Sequence, residues 1–296
     1  MEKTDFLYNL KSGDYKTLAR TLTKVENNLK DADLILKSLK PSKLVPVIGI
    51  TGPPGSGKST LVNALIHQLS KENKRIAVLA IDPTSPFNFG SLLGDRIRMN
   101  EHFNNPNVFI RSLATRGSLG GLSEKTIEMV DVLKSSGFDY VIIETVGVGQ
   151  SEVEIAGLAD VTIVVLVPES GDEIQNIKSG LMEIANIFVV NKADREGADI
   201  FSNNLKKLLH KKTDSIPVIQ TIADKAVGVD ELANTITNSN VNNSRGSQLL
   251  TEKAWKLIQV KRMLNIDKKQ LELDIKRESL APDFNLYTFV ENYKAS

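Results

Sequence analysis

Gly52-Pro53-Pro54-Gly55-Ser56-Gly57-Lys58-Ser59 follows the apolar run Val45-Pro46-Val47-Ile48-Gly49-Ile50 and leads into Thr60-Leu61-Val62-Asn63-Ala64-Leu65-Ile66. A G-x-x-x-x-G-K-S pattern between a buried strand and a helix predicts a phosphate-cradling P-loop. Its glycines let the backbone fold closely enough for successive N–H groups to face phosphate oxygens, and the helix N-terminus adds a positive dipole end. Lys58 would reach the β- and γ-phosphates, and the Ser59 hydroxyl would join a magnesium shell. The expected ligand is a nucleoside polyphosphate held by residues Gly52 through Thr60, including Pro53, Pro54, Gly55, Ser56 and Gly57.

Further along, β-branched apolar runs alternate with helical patterns: 75–81, 108–110, 140–143, 161–167, 187–190 and 216–219. Runs apolar on both faces suit a parallel sheet covered by helices on both sides. The expected fold is a doubly wound, mostly parallel α/β domain over 43–240, with ligands beyond the carboxyl ends of its strands. Residues 1–42 read as a helical extension, with Leu18, Leu22, Val25 and Leu29 on one stripe and Pro41 at its end. The polar stretch 237–247 is the boundary candidate. Beyond it, 241–296 reads as a helical arm too small to fold alone, packed on the main domain or on a second chain.

The 296 residues carry 37 lysines and arginines against 36 acids, a net charge of +1. That balance argues against nucleic acid or an anionic membrane as the main partner. With no cysteine, disulfides and cysteine metal sites are excluded. No apolar run approaches a membrane span and no signal-peptide pattern opens the chain, so the expected location is cytoplasmic.

Asn191-Lys192-Ala193-Asp194 matches N-K-x-D, a guanine-reading signature, 133 residues after Lys58 (191 − 58). The Asp194 carboxylate can accept from both N1–H and the exocyclic amine of guanine, a donor pair adenine lacks. Glu144, closing 140–143, stands where GTPases place a magnesium-holding aspartate, and oxygen ligands suit that ion. Asp82 ends another strand, and Asp95 with Arg96 and Arg98 lies in the loop beyond it. Asp95 could join the metal shell, and Arg98 or Arg96 could steady charge on the transferring phosphoryl group. A helix cap fits either strand-end acid, and a salt-bridged helix end fits the arginines equally well. Where many GTPases orient water with glutamine, Val148 follows Gly147, which predicts slow intrinsic hydrolysis accelerated by a partner.

Taken together, Leu18–Glu26, Thr51–Thr60, Asp82–Pro86, Leu93–Met99, Arg116–Gly121, Glu144–Glu152 and Pro168–Gln175 resemble one family, the MeaB/ArgK-type P-loop GTPases. That family itself uses glutamate at the position of Glu144. The resemblance implies a GTPase that gates cofactor loading into, and protects, an adenosylcobalamin-dependent acyl-CoA mutase. It also implies a homodimer built through the C-terminal arm. By the same resemblance Ser59, Asp82, Asp95 and Glu144 line the magnesium site; Lys58, Arg98 and Glu144 are the residues expected to serve catalysis. Asn191, Lys192 and Asp194 hold guanine. The last base-contacting loop is Ile222-Ala223-Asp224, where the family usually has Ser-Ala-Leu. Competing readings are a metal-insertion GTPase, disfavoured by absent cysteines, and a P-loop small-molecule kinase of the LAO/AO transport type, disfavoured by N-K-x-D.

Overall fold

In the computed structural model the described residues are 9–82, 99–114, 125–145, 151–169, 181–209, 216–239, 246–263, 266–281 and 284–293. The chain divides into two compact units, 1–246 and 247–296. The first opens with helices α1 (Tyr15–Glu26) and α2 (Ala32–Ser38). Strand β1 (Val47–Thr51), helix α3 (Lys58–Ser70), β2 (Ile76–Asp82) and β3 (Val108–Ala114) come next. They are followed by α4 (Thr126–Lys134), β4 (Tyr140–Glu144), α5 (Ser151–Leu158), β5 (Val161–Leu166), α6 (Leu181–Ile184) and β6 (Ile187–Asn191). Helix α7 (Ala198–Leu209), β7 (Val218–Thr221) and α8 (Val229–Asn238) complete the unit.

The strands form one seven-stranded sheet in the order β3-β2-β4-β1-β5-β6-β7. Every adjacent pair is parallel. The doubly wound fold expected from strand–helix alternation is therefore the fold observed. β1 lies at the centre, between β4 and β5. From β1 the chain runs to β2 and β3 on one side, returns to β4 beside β1, and then crosses to β5, β6 and β7, so the loop after β1 opens at the point where the winding reverses.

Alternation along the strands sends side chains to the two faces of the sheet, which carry three hydrophobic clusters, one of them gathering Val164, Leu166, Phe188 and Val190 with Phe201 and Leu205 of α7. Ile48, Ile50, Val78, Ile142, Ile163 and Val189 pack with Leu61, Leu65 and Leu69 of α3 and with Leu232 and Ile236 of α8. On the opposite face Val47, Leu79, Val141 and Ile143 meet Leu18, Leu22 and Val25 of α1, Met129 and Leu133 of α4, and Ile155 of α5. Gly49 is needed here, because a Cβ on it would lie 2.7 Å from Ile155 Cγ1 and 2.9 Å from Ala159 Cβ. The amino-terminal extension thus contributes to the core of the first unit. Its expected stripe holds only through Val25. α1 stops at Glu26, Asn28 turns into positive φ (50°), and Leu29 is exposed. A left-handed residue breaks the helical register, so Leu29 leaves the stripe.

The second unit holds α9 (Gly246–Arg262), α10 (Lys268–Glu278) and α11 (Leu286–Asn292). Phe289 rings meet Phe284 and Tyr293 at 6.0 and 5.4 Å, and the Tyr293 hydroxyl donates to Asp274 Oδ2 at 3.4 Å. Leu250, Trp255, Leu257 and Ile258 of α9 are exposed, as are Leu273, Leu286, Tyr287 and Val290. Among the described residues, no helix is long and apolar enough to cross a membrane.

Candidate functional site: the loop after β1 and its neighbours

Four carbonyls of the loop are turned to cations or amides. Lys58 Nζ donates to Gly52 O (2.8 Å) and Pro53 O (2.9 Å), Lys192 Nζ to Gly55 O (2.7 Å), and Asn191 Nδ2 to Ser56 O (2.9 Å). These bonds hold the glycine-rich loop in place directly before the N-terminus of α3, the arrangement that suits an anion-binding nest. No side chain caps that helix at Gly57. First-turn N–H groups have no partner within their own helix, and they are the donors a phosphate can satisfy.

Two glycines are dictated by close approach. Gly52, at φ 138°, would put a Cβ 2.1 Å from Val165 O of the neighbouring strand. Gly57, at φ 88°, would put one 2.3 Å from Asn191 Nδ2.

Beside the helix start, the Ser59 hydroxyl donates to Glu144 Oε1 at 2.6 Å. Both side chains belong to residues less than a tenth exposed. Thr145 at the end of β4 locks this pairing, its N–H bonded to Ile50 O (3.0 Å) and its hydroxyl to Thr51 Oγ1 (2.9 Å). A hydroxyl and a carboxylate side by side are hard oxygen donors, the chemistry magnesium requires. Asp82 is the last residue of β2. With Ala80 opposite Glu144, it stands two residues further along the adjacent strand. The Asp82 side chain lies outside the described residues, as do Asp95, Arg96, Arg98 and Val148.

Asn191 organises the other side. It is 2% exposed at the end of β6. Besides holding Ser56, its Oδ1 accepts from Thr221 Oγ1 and from the Ala223 N–H, each at 3.1 Å. One side chain therefore ties the phosphate loop to the turn Ile222-Ala223-Asp224. Lys192 takes a positive φ of 57°, which aims its side chain back at the loop. Asp194 is exposed and paired with Lys225 at 2.9 Å, which holds its carboxyl below the usual carboxylate range. Next to it, Arg195 pairs with Glu169, whose carboxyl is lowered by that hydrogen bond.

The structure thus brings Gly52 to Thr60, Glu144, Asn191, Lys192, Asp194 and Ile222 to Asp224 to one edge of the sheet. Sequence reasoning missed Thr145, Thr221 and Lys225. Lys225 carried a signal, as a cation beside the turn expected to contact the base. The two threonines carried none, because nothing local marks a buried hydroxyl as a tie between strands.

A doubly wound parallel sheet with a glycine-lined phosphate nest after its central strand defines a P-loop nucleotide-binding protein. The model for the methylmalonyl-CoA mutase-associated GTPase MeaB matches residues 18–272, and the chain belongs to that family. A protein of Pyrococcus horikoshii that carries GTPase in its name is 50% identical over 236 residues, covering 77% of this chain and 74% of its own. The fused isobutyryl-CoA mutase of Geobacillus kaustophilus is 38% identical over 240 residues, 75% of this chain but 22% of that one. Among solved structures, an LAO/AO transport system kinase superposes with a TM-score of 0.69 at 26% identity, covering 98% of this chain and 96% of that chain.

Proposed function

We propose that the chain binds GTP with magnesium, hydrolyses it slowly to GDP and phosphate, and uses the nucleotide state to control an adenosylcobalamin-dependent acyl-CoA mutase. The observation that carries the nucleotide reading is the Asn191 side chain, which joins the phosphate loop to the base-reading turn across three strand ends. In this reading Lys58 leaves its loop carbonyls for the β- and γ-phosphates. Ser59 and Glu144 would hold the metal through their oxygens, with Asp82 and Asp95 as the further ligands of this reading. Magnesium supplies neutralisation of phosphate charge. Asn191, Lys192 and Asp194 select guanine with the Ile222-Ala223-Asp224 backbone, and Arg98 steadies the charge that develops on transfer.

The mutase reading is supported by family membership and by the fused mutase relative, part of whose chain this sequence matches. The chain then gates cofactor loading and protects the mutase, and the mutase in turn stimulates hydrolysis. The exposed apolar residues of α9 to α11 serve a homodimer.

Affinity capture from the source cell, with GTP in one arm and GDP in the other, tests this directly. A cobalamin-dependent acyl-CoA mutase recovered in a nucleotide-dependent manner is the expected result. Recovery of no such enzyme in either arm overturns the mutase reading. A labelled phospho-acceptor formed from labelled GTP would instead favour a kinase, the activity in the name of the solved relative.

A further inference from the structure

We propose that Lys225 is a positioning residue for guanine selection, whose ammonium holds the Asp194 carboxylate in the orientation that reads the base. The inference rests on the guanine reading above.

Both partners stand on rigid turns. Lys225 ends the single 3-10 turn Ala223–Lys225 that follows β7. Its N–H bonds to Ile222 O at 3.0 Å, and Ile222 and Val227 exchange two backbone bonds of 3.1 and 3.2 Å. Ala226, at φ 54°, closes the turn. On the other side, Ala193 N–H is held by Thr221 O and Arg195 N–H by Lys192 O, each at 3.0 Å. Asn191, at the head of this second segment, grips the first through its Oδ1, which accepts from Thr221 Oγ1 and the Ala223 N–H. Lys225 Nζ then meets Asp194 Oδ2 at 2.9 Å, closing a bridge between the ends of β6 and β7.

The two side chains are 59% and 42% exposed. An ion pair so wet adds little to folding, about 0–1 kcal/mol. Its consequence lies in which carboxylate it holds. Arg195, next in sequence, is turned to Glu169. Among the described residues, Lys225 is therefore the cation that hydrogen-bonds Asp194.

The pairing is compatible with base recognition. An ionised carboxylate offers about four lone-pair sites. Guanine would take two through N1–H and its exocyclic amine, which leaves room for the ammonium. A carboxylate already ordered and ionised loses less rotamer freedom when it binds. The pair therefore pre-forms the acceptor set without occupying it.

The test is calorimetric titration of GDP and ADP against wild type, Lys225→Met and Lys225→Arg, with Lys225→Met repeated in an Asp194→Asn background. Lys225→Met should weaken GDP about five-fold, the scale of one exposed pair. ADP should bind as before, and Lys225→Arg should restore most of the loss. The acid limb of GDP binding should move to higher pH in Lys225→Met, because the hydrogen bond from Lys225 lowers the carboxyl pKa. In the Asp194→Asn background the same change should have no further effect.

Unchanged or tighter GDP binding by Lys225→Met overturns the proposal, the second result marking Lys225 as a competitor. An equal loss in the Asp194→Asn background overturns it as well. A wild type that binds ADP as tightly as GDP removes the guanine reading and this role together. A discriminating wild type beside an unaffected Lys225→Met removes only the role of Lys225. Thermal melting of Lys225→Met should match wild type, since the pair holds a site and not the fold.

Discussion

A methyl group at position 57 would land 2.3 Å from Asn191 Nδ2, on a backbone already at φ 88°. Both the backbone region and the contact resist a side chain, and the left-handed conformation alone disfavours an L-residue by about 1–2 kcal/mol. Gly57→Ala should therefore lower nucleotide affinity at least ten-fold by displacing Asn191, and lower the melting temperature by about 2–4 °C per kcal/mol lost. Binding titration and calorimetry on the same sample check both. Asp194 makes a sharper single-residue test. An amide presents a donor where the carboxylate accepted, so Asp194→Asn should weaken GTP about 10- to 100-fold, at roughly 1–3 kcal/mol per lost contact. The same change should improve xanthine nucleotides. Competition between GTP and XTP measures the exchange, and an unaltered preference would remove Asp194 from the base site.

At the scale of the element, helix α4 carries a built-in pH dependence. Burial pushes the Asp131 carboxyl up to about 6, with Glu128 adding to the rise and Lys134 opposing it. Because the folded value lies above the ordinary carboxyl value of 3.8, folding favours the protonated acid. The associated stability is fully present below about pH 4 and is lost as pH rises through about 6. Asp131→Asn keeps a neutral side chain at every pH. It should match wild type near pH 4 and exceed it above about pH 7, by on the order of 2–3 kcal/mol at 1.36 kcal/mol per unit. Chemical denaturation at the two pH values decides, and equal stability at both would show that the carboxylate stays solvated in the fold.

Element positions were largely legible in the sequence because β-branched runs and glycine punctuation are local signals. Their ends were set by pairing. The run at 108–110 extends as β3 to Ala114, where its ladder with β2 reaches Asp82. The run at 216–219 becomes β7 at Val218–Thr221, since Pro217 has no N–H to give a ladder and Thr221 pairs with Asn191. That shift matters, because it delivers the Thr221 hydroxyl to Asn191.

For the whole molecule, the first unit closes its own three hydrophobic clusters on the sheet, whereas α10 and α11 carry no buried residue. Trp255 is 60% exposed and Leu257 56%. If these residues serve a homodimer, Trp255→Glu with Leu257→Glu should convert the protein to monomer while leaving GTP binding intact. Light scattering during size exclusion reads the mass. A wild-type monomer, or a variant still dimeric, would remove α9 from that role.

By itself the sequence determined the ligand class and the fold class. The spacing of Gly52, Gly57, Lys58 and Ser59 encodes a phosphate nest within a single loop, and apolar runs encode strands over a few residues each. Tertiary structure alone decided how the nest is held. Asn191 reaches Ser56 across 135 residues and Ser59 reaches Glu144 across 85. Lys225 reaches Asp194 across 31. Such contacts depend on strand order and register, which place β4 and β6 beside and beyond the central strand. Neither is written in any local pattern, because register emerges only when apolar faces of distant segments are buried together.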